Sequence, residues 1–433
     1  MIEAIIRAWS IPELRKRISF VLGMMAVFAV GAHIPVPGID HSVIQNMLRN
    51  GGGGILQLID AFGGGALRRM SIFAMGIGPY INASIIMQMM TIALPQLDAL
   101  SKEGESGRKQ IAKITRNLTV ALAFVQAVGI ILMFGQNGAH LTIFAKFEIC
   151  VVLTAGSSFL LWIGEQVTQK GVGNGISLVI FAGILLSLPT QGSLIIAQVK
   201  AGTPWFNLII LIAAFVATVW FIIMITQGTR RIPIQHTKRV IGRSQTQGGA
   251  SYFPIKVNSA GVIPIIFAIS LMLFPATIVN AIPVQTGPML KVKEFLMQLN
   301  PGANVGSTLF YALLVIVFTY FYTAIVMNVQ EIADNLKKYG NYIPGIRPGK
   351  PTFEYLERVI SRITLAGAFF LALIAVAQYI VPNITGFKSV TLIGGTSLLI
   401  VVGVAIETMQ AIEAQLLMRN YEGFIKSGQG SVM

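Results

Sequence analysis

The stretch Phe206–Thr226, FNLIILIAAFVATVWFIIMIT, is 21 residues long and contains no Asp, Glu, Lys or Arg. A helix of this length extends about 30 Å, which matches the hydrocarbon thickness of a bilayer. Leaving so many apolar side chains in water is unfavourable, so the stretch predicts a membrane-spanning helix. It places the chain among integral membrane proteins.

Nine further apolar runs of near-spanning length occur, so we predict ten spanning helices. The other runs are Ile18–Ile34, Ser71–Leu94, Leu118–Phe134, Phe147–Ile163, Ile176–Val199, Ala260–Ile282, Thr308–Met327, Ile363–Val381 and Val390–Ile406. The composition agrees, with 54% hydrophobic and only 11% charged residues, against roughly 25% charged in soluble domains. The predicted fold class is an all-α polytopic membrane protein.

Basic residues are distributed unequally between the two sides of the predicted membrane. Of the 32 Lys and Arg residues, 24 lie before the first run, after the last run or in every second loop. The positive-inside rule assigns that side to the cytoplasm, where both termini are then expected. Most of the net charge of +15 is explained in this way, and a docking surface for an acidic partner such as RNA is a second interpretation.

A division after the fifth run gives an N-terminal half, 1–205, and a C-terminal half, 206–433. Five is an odd number of spans, so two related halves would have opposite orientations in the membrane. Inverted repeats of this kind are common in transport proteins. The sequence shows no clear internal identity between the halves, and the repeat remains a hypothesis.

One apolar segment, Ile55–Leu67 (ILQLIDAFGGGAL), is too short to span the membrane. About 12 helical residues extend only ~18 Å, and Gly51–Gly54 and Gly63–Gly65 flank the segment. Two interpretations are open, a re-entrant or cavity-filling piece and a flexible external loop. Elsewhere the long loops 228–259 and 328–362 contain Pro, Gly and aromatic residues, which predicts ordered cytoplasmic structures that contact a partner.

No catalytic or metal-binding constellation is evident, so we expect neither an enzyme nor a bound cofactor. The single cysteine, Cys150, lies inside an apolar run. The four histidines have no ligand spacing; they are His33, His41, His140 and His236. A small-molecule secondary transporter is the alternative, but such proteins usually carry charged residues deep in their spans. Here Glu148, Glu165 and Glu407 lie towards span ends, which favours a passive pore.

Six ordered blocks of sequence resemble the SecY family of protein-conducting channels. They are Gly76–Gln88 (GIGPYINASIIMQ), Lys102–Arg108 (KEGESGR), Gly164–Ser177 (GEQVTQKGVGNGIS), Lys256–Ala268 (KVNSAGVIPIIFA), Ile332–Lys338 with Ile343–Gly349 (IADNLKK and IPGIRPG) and Gly394–Val402 (GGTSLLIVV). One departure is Val329, which stands where the family typically has proline. The resemblance covers essentially the whole chain.

The resemblance implies ten transmembrane helices in two inverted five-helix halves around an hourglass pore. Its waist would be lined by Ile77, Ile81, Ile180, Ile266 and Ile400. Branched aliphatic side chains form a constriction that dewets when empty and yields around a polypeptide of any sequence. Without the resemblance, each isoleucine would be expected to face lipid or a neighbouring helix.

The resemblance also assigns a plug and a lateral gate. The short segment at about 55–67 would be a re-entrant plug helix blocking the external funnel, with Leu56, Leu58, Ile59, Asp60, Phe62 and Gly64 as its residues. The gate would open between the second and seventh spans, facing the third and eighth. Polar residues in or near those helices are Ser84, Gln88, Gln126 and Asn258, for which packing within one half is an equally open interpretation.

The basic cytoplasmic loops resemble the family's docking surface for a translating ribosome or the SecA motor ATPase. The expected docking residues are Arg347, Lys238, Arg239, Arg243, Lys337 and Lys338. Cationic side chains there meet rRNA phosphates or acidic protein surface. The resemblance further implies SecE and SecG as companion subunits, contacts with signal peptides, nascent chains and lipids, and a location in the bacterial plasma membrane.

Overall fold

The computed structural model describes most of the chain. The described residues are 2–37, 63–136, 142–236, 240–241, 244–245, 250–281, 291, 294–296, 298–299, 301–387 and 395–429. Helices dominate this part of the chain. In the first half they are α1 (Ile2–Ser10), α2 (Pro12–Gly31), α3 (Gly78–Ala93), α4 (Pro95–Lys102), α5 (Glu105–Gln136), α6 (Ile143–Lys170) and α7 (Gly175–Lys200). In the second half they are α8 (Trp205–Gln227), α9 (Ile263–Ala281), α10 (Val305–Val326), α11 (Val329–Lys338), α12 (Lys350–Thr385) and α13 (Thr396–Gln429).

Within the described residues, seven helices are long and apolar enough to cross a membrane, or eight when α3 and α4 count as one bent span. The axes of α3 and α4 differ by 99°. The break falls at Leu94, whose backbone is extended (φ −107°, ψ 116°), immediately before Pro95. Proline disfavours helical geometry in the residue before it, which explains the position of the bend. The chain is therefore a helical multi-pass membrane protein.

The second predicted run begins at Ser71, whereas helix α3 begins only at Gly78. Residues 71–77 instead form turns, and Ser71 makes an isolated bridge with Pro35. The backbone N–H of Ile72 donates to the carbonyl of Ile34 at 3.0 Å, so this part of the chain is tied to the end of α2. The left-handed conformation of Gly76 (φ 57°) separates these turns from the helix.

The long loops contain β-strands, which the all-helical prediction did not include. They are β1 (Thr229–His236), β2 (Val240–Ile241), β3 (Ser244–Gln245), β4 (Ala250–Lys256) and β5 (Asn341–Tyr342). Strand β1 pairs antiparallel with β4 on one side and with β5 on the other, giving the order β4-β1-β5. Along β1, Ile232 and Ile234 are buried while Arg231, Pro233 and Gln235 are exposed. This two-residue period suits a sheet with one covered face.

Two large hydrophobic clusters hold the helices together. The N-terminal cluster joins side chains from α2, α6, α7 and α13, and the C-terminal cluster joins side chains from α8, α9, α10, α12 and α13. Helix α13 belongs to both, because Ile400 and Val404 pack in the first while Leu398 and Leu399 pack in the second. The last spanning helix therefore lies between the two groups of helices.

Candidate functional site

All five predicted waist isoleucines meet in the N-terminal cluster. Ile77, Ile180 and Ile400 are buried members of it, and Ile81 and Ile266 are partly buried side chains packed against it. They come from the beginning of α3 and from α7, α9 and α13. Residues far apart in sequence thus pack together in one aliphatic cluster.

Local sequence explains how these helices present their isoleucines. Ile77 is the N-cap of α3, and Ile81 follows one turn later on the same face. In α7 the Asn174 side chain accepts hydrogen bonds from the N–H groups of Ile176 and Ser177. An N-cap of this type satisfies donors that the first helical turn leaves unpaired. The cap sets where α7 begins, about one and a half turns before Ile180.

The end of the predicted plug packs beside the waist. Ala66 is fully buried in the same cluster as the waist isoleucines. Gly64 has φ +73°, and a Cβ atom placed there would lie 3.0 Å from the carbonyl oxygen of Gly183 in α7. The other predicted plug residues lie outside the described part of the chain; they are Leu56, Leu58, Ile59, Asp60 and Phe62.

The segment that follows is fastened to the chain just after the C-terminal end of α2. The backbone N–H of Val36 donates to the carbonyl of Met70 at 2.8 Å. Arg69 Nη1 lies 2.6 Å from His33 Nε2, and His33 Nδ1 lies 2.8 Å from the carbonyl oxygen of Ala29. The chain that follows the predicted plug is therefore fixed close to Met70.

The predicted lateral gate has helices in contact but no shared polar network. Helix α9 contacts both α3 and α5. Gln88 Nε2 donates to Ser84 Oγ at 3.5 Å within α3, and Gln126 is half-buried on α5. Asn258 is 8% exposed and lines a small cavity beside Thr226. Among the described hydrogen bonds, none joins the predicted gate residues across the helices.

Arg347 is exposed on a turn whose shape is set by its neighbours. Gly345 and Gly349 have φ values of +81° and +104°, a region that favours glycine. The hydroxyl of Thr352, a side chain only 2% exposed, donates to the Arg347 carbonyl at 2.8 Å. The guanidinium is thus presented to solvent from an ordered backbone.

The other predicted docking residues fall into two groups. Lys337 and Lys338 are exposed in the last turn of α11, where positive charge complements the helix dipole. Lys238, Arg239 and Arg243 lie outside the described residues. Arg347, Lys337 and Lys338 are thus all exposed on the second long loop.

The two long loops, which are predicted to be cytoplasmic, share a hydrophobic core, which we call the cytoplasmic cluster. Ile232 of β1 and Ile255 of β4 pack there with Ile343, Leu356 and Ile360. Strand β5 adds backbone pairing between the loops, at Gln235 with Tyr342 and His236 with Asn341. The sheet, α11, the Arg347 turn and the start of α12 consequently form one packed unit.

Two polar contacts near the helix ends predicted to be cytoplasmic were not anticipated from the sequence. Arg116 of α5 makes a bidentate ion pair with Glu165 of α6, with Nη2–O distances of 2.8 and 2.7 Å. Lys256 Nζ donates to Gln410 Oε1 of α13 at 3.2 Å. The charged residues are visible in the sequence, but their partners are 49 and 154 residues away.

The described residues contain no group of three or more His, Cys, Asp or Glu side chains that could hold a metal ion. The described residues bring aliphatic side chains from four helices into one cluster and expose basic side chains on the second long loop.

Comparison with known proteins places this arrangement in a family. The family model described as SecY matches residues 71–409. The protein translocase subunit SecY of Streptomyces scabiei is 41% identical over 441 residues, covering 98% of this chain and 100% of the relative. That of Staphylococcus epidermidis is 42% identical over 436 residues, covering 98% of this chain and 99% of the relative.

Solved structures share the fold at low sequence identity. A protein-conducting channel superposes with a TM-score of 0.61 and 18% identity over 92% of each chain. A SecY protein studied for its plug domain gives a TM-score of 0.64 and 19% identity over 92% of each chain. Sec61 from a canine ribosome–channel complex gives 0.58 and 16%, again over 92% of each chain. With the family match and the high-coverage relatives, these similarities lead to one assignment: the chain belongs to the SecY family.

Proposed function

We propose that this chain is a protein-conducting channel, through which unfolded secretory polypeptides cross the membrane. The observation that carries the proposal is the convergence of five isoleucines from four helices in one cluster. The relatives, named protein translocase subunits, support it. An aliphatic ring excludes water and ions when empty, yet fits side chains of any chemistry because it forms no directed bonds.

A channel of this kind is not an enzyme, and its driving force comes from outside the chain. The alternative, a small-molecule secondary transporter, is less well supported. Coupled transporters place ionisable residues near the middle of the membrane, whereas the side chains that converge here are aliphatic. A polypeptide carries no fixed charge pattern, so a site without charges suits it better.

The proposed architecture has ten spans in two inverted halves, 1–205 and 206–433. Helices α2 and α9 lie at the first and seventh predicted runs and supply the two spans beyond the eight that length and composition identify. The plug would occupy about 55–67 and the lateral gate the contact between α3 and α9. Apolar segments of the substrate would leave through that gate into lipid. Both termini would be cytoplasmic in a bacterial plasma membrane.

The proposed partners follow from the exposed basic surface of the second long loop and from the proposed lateral gate. The ordered turn with Arg347, together with Lys337 and Lys338, would bind a SecA motor or a translating ribosome through acidic groups or phosphates. One structural neighbour is a Sec61 channel in a ribosome complex. SecE and SecG would be companion subunits, and signal peptides would bind at the gate.

The decisive experiment is photocrosslinking to a stalled secretory chain in reconstituted membranes. A photoreactive residue at position 81 should form adducts along the middle of the translocating chain. The matched control is position 216, because Val216 is 58% exposed on α8 and faces away from the waist cluster. Adducts at 216 but none at 81 during successful translocation would refute this route.

A further inference from the structure

Lys256 is the last residue of β4 and lies where the cytoplasmic sheet meets the spanning helices. On its sheet side, the preceding residue Ile255 is 1% exposed in the cytoplasmic cluster. The same cluster includes Ile343 and Ile346, which precede Arg347 in the chain. A partner bound at Arg347 therefore acts on a packed unit that ends at Lys256.

The turn at residues 257–259, which we call the corner, is held by contacts on several sides. The N–H of Val257 donates to the carbonyl of Gly228, at the end of α8, at 2.9 Å. Ser259 Oγ donates to the Lys256 carbonyl at 2.7 Å. Helix α12 approaches so closely that a Cβ on Gly367 would lie 2.7 Å from the Val257 carbonyl oxygen. A corner packed this tightly transmits displacement instead of absorbing it.

The Lys256 side chain continues the connection to α13. Its amino group donates to Gln410 Oε1 at 3.2 Å, and Glu407, one turn earlier in α13, lines the same cavity. Thr226 and Asn258 line that cavity as well. The side chains that join the turn after Lys256 to α13 therefore surround one shared cavity.

Helix α13 joins the contact at Gln410 to the proposed waist, because it also contains Ile400. Ile400 precedes Glu407 by two turns, or about 10 Å, and lies on the same face of the helix. Ile400 is 2% exposed in the waist cluster. A shift of α13 at Gln410 therefore moves a waist side chain.

Resting on the function proposed above, we infer that Lys256 is a positioning residue that couples partner docking on the cytoplasmic surface to opening of the waist. It acts through Gln410 and Glu407 of α13. Docking displaces the sheet, the corner carries the displacement, and α13 moves with it.

The test uses the channel with its companion subunits in proteoliposomes, purified SecA, ATP and a secretory precursor. Four variants are compared with wild type: Lys256→Met, Lys256→Arg, Gln410→Leu and the Lys256→Met/Gln410→Leu double variant. Lys170→Met is the matched control, because it removes one exposed cytoplasmic-side lysine at the end of α6. Motor affinity, translocation rate and thermal unfolding are measured for each.

Lys256→Met should keep motor affinity and unfolding temperature but lower the translocation rate by roughly tenfold, the scale expected for losing one charge-assisted hydrogen bond. Lys256→Arg should restore most of the rate. The double variant should be no worse than Lys256→Met, because both substitutions break one contact. Lys170→Met should behave as wild type.

Three results would overturn the coupling role. They are a wild-type translocation rate in Lys256→Met, a loss of rate matched by an equal loss of motor affinity or of folding, and additive losses in the double variant. Failure of the wild-type chain to translocate any precursor would instead refute the proposed function. The two failures are therefore distinguishable.

Discussion

Each waist isoleucine supplies a branched aliphatic side chain and no hydrogen-bonding group. In the proposed waist, a ring of such side chains would leave water without partners, so the empty constriction would dewet and block ions. Ile81 and Ile180 belong to different helices and pack in one cluster. Replacing both with an amide side chain gives water polar partners at the narrowest point.

We expect the Ile81→Asn/Ile180→Asn double variant to conduct ions at rest and to accept precursors with defective signal sequences. The leak, measured by single-channel conductance in planar bilayers, should rise by at least roughly tenfold as the hydrophobic barrier is wetted. The control is Ile81→Leu/Ile180→Leu, which keeps volume and apolarity. An unchanged leak and unchanged signal selectivity would remove these residues from the waist.

Arg347 offers a second prediction at this scale. Arg347→Glu reverses the charge on an exposed, ordered turn, so we expect motor or ribosome affinity to fall about tenfold or more. Because the Arg347 side chain is in solvent, thermal unfolding should be unchanged. Arg358→Glu, an exposed reversal on α12, is the control. Wild-type partner affinity in Arg347→Glu would exclude Arg347 from the docking surface.

At the scale of elements, two adjacent glycines allow the contact between the predicted plug end and α7 to be tested. Gly64 and Gly65 both have left-handed φ values, +73° and +77°. A Cβ on Gly64 would press against Gly183, whereas a Cβ on Gly65 meets nothing within 4 Å. Backbone strain is therefore similar at both positions and the steric conflict occurs at one.

We expect Gly64→Ala to push the segment away from α7 and raise the resting ion leak. Gly65→Ala should raise it much less, because strain alone at a left-handed position is only about 1–2 kcal/mol. The measurement is the resting ion conductance of each variant, recorded in separate planar bilayers under the same conditions. Equal leaks from both would show that the contact with Gly183 does not hold the plug.

For the whole molecule, orientation follows from the unequal distribution of Lys and Arg. Tyr252 lies in the sheet that is predicted to be cytoplasmic and is 64% exposed. Ile143 is the first residue of α6, at the end predicted to be external, and is 87% exposed. Cys150 is buried and is the chain's only cysteine. A Cys150→Ser background therefore permits selective labelling at introduced cysteines.

In that background, Tyr252→Cys should react with a membrane-impermeant maleimide only in inverted vesicles. Ile143→Cys should react only in intact cells, since three spans separate the two sides along the predicted path from α6 to the sheet. Mass shifts on gels provide the measurement. Reversal of both patterns would contradict the predicted orientation.

The candidate site was accessible from the sequence only through the resemblance. A single isoleucine in a spanning helix carries no local mark of its role. Four of the five predicted waist residues stand inside recognisable blocks, and Ile180 follows the block Gly164–Ser177 by three residues. The turn around Arg347 is different, because Pro and Gly on both sides already indicated a defined backbone. The structure adds the Thr352 hydrogen bond that stabilises it.

By itself, the sequence determined the membrane class, the approximate positions of the helices and the expected orientation. These properties are sums of local terms, such as the transfer of each side chain into lipid and the charge of each loop, so they can be read without knowing any contact. Only the tertiary structure decided that α3 begins at Gly78 and that the two long loops pair in one sheet. It alone decided that Lys256 meets Gln410, because that contact joins residues 154 positions apart and depends on how every intervening helix packs.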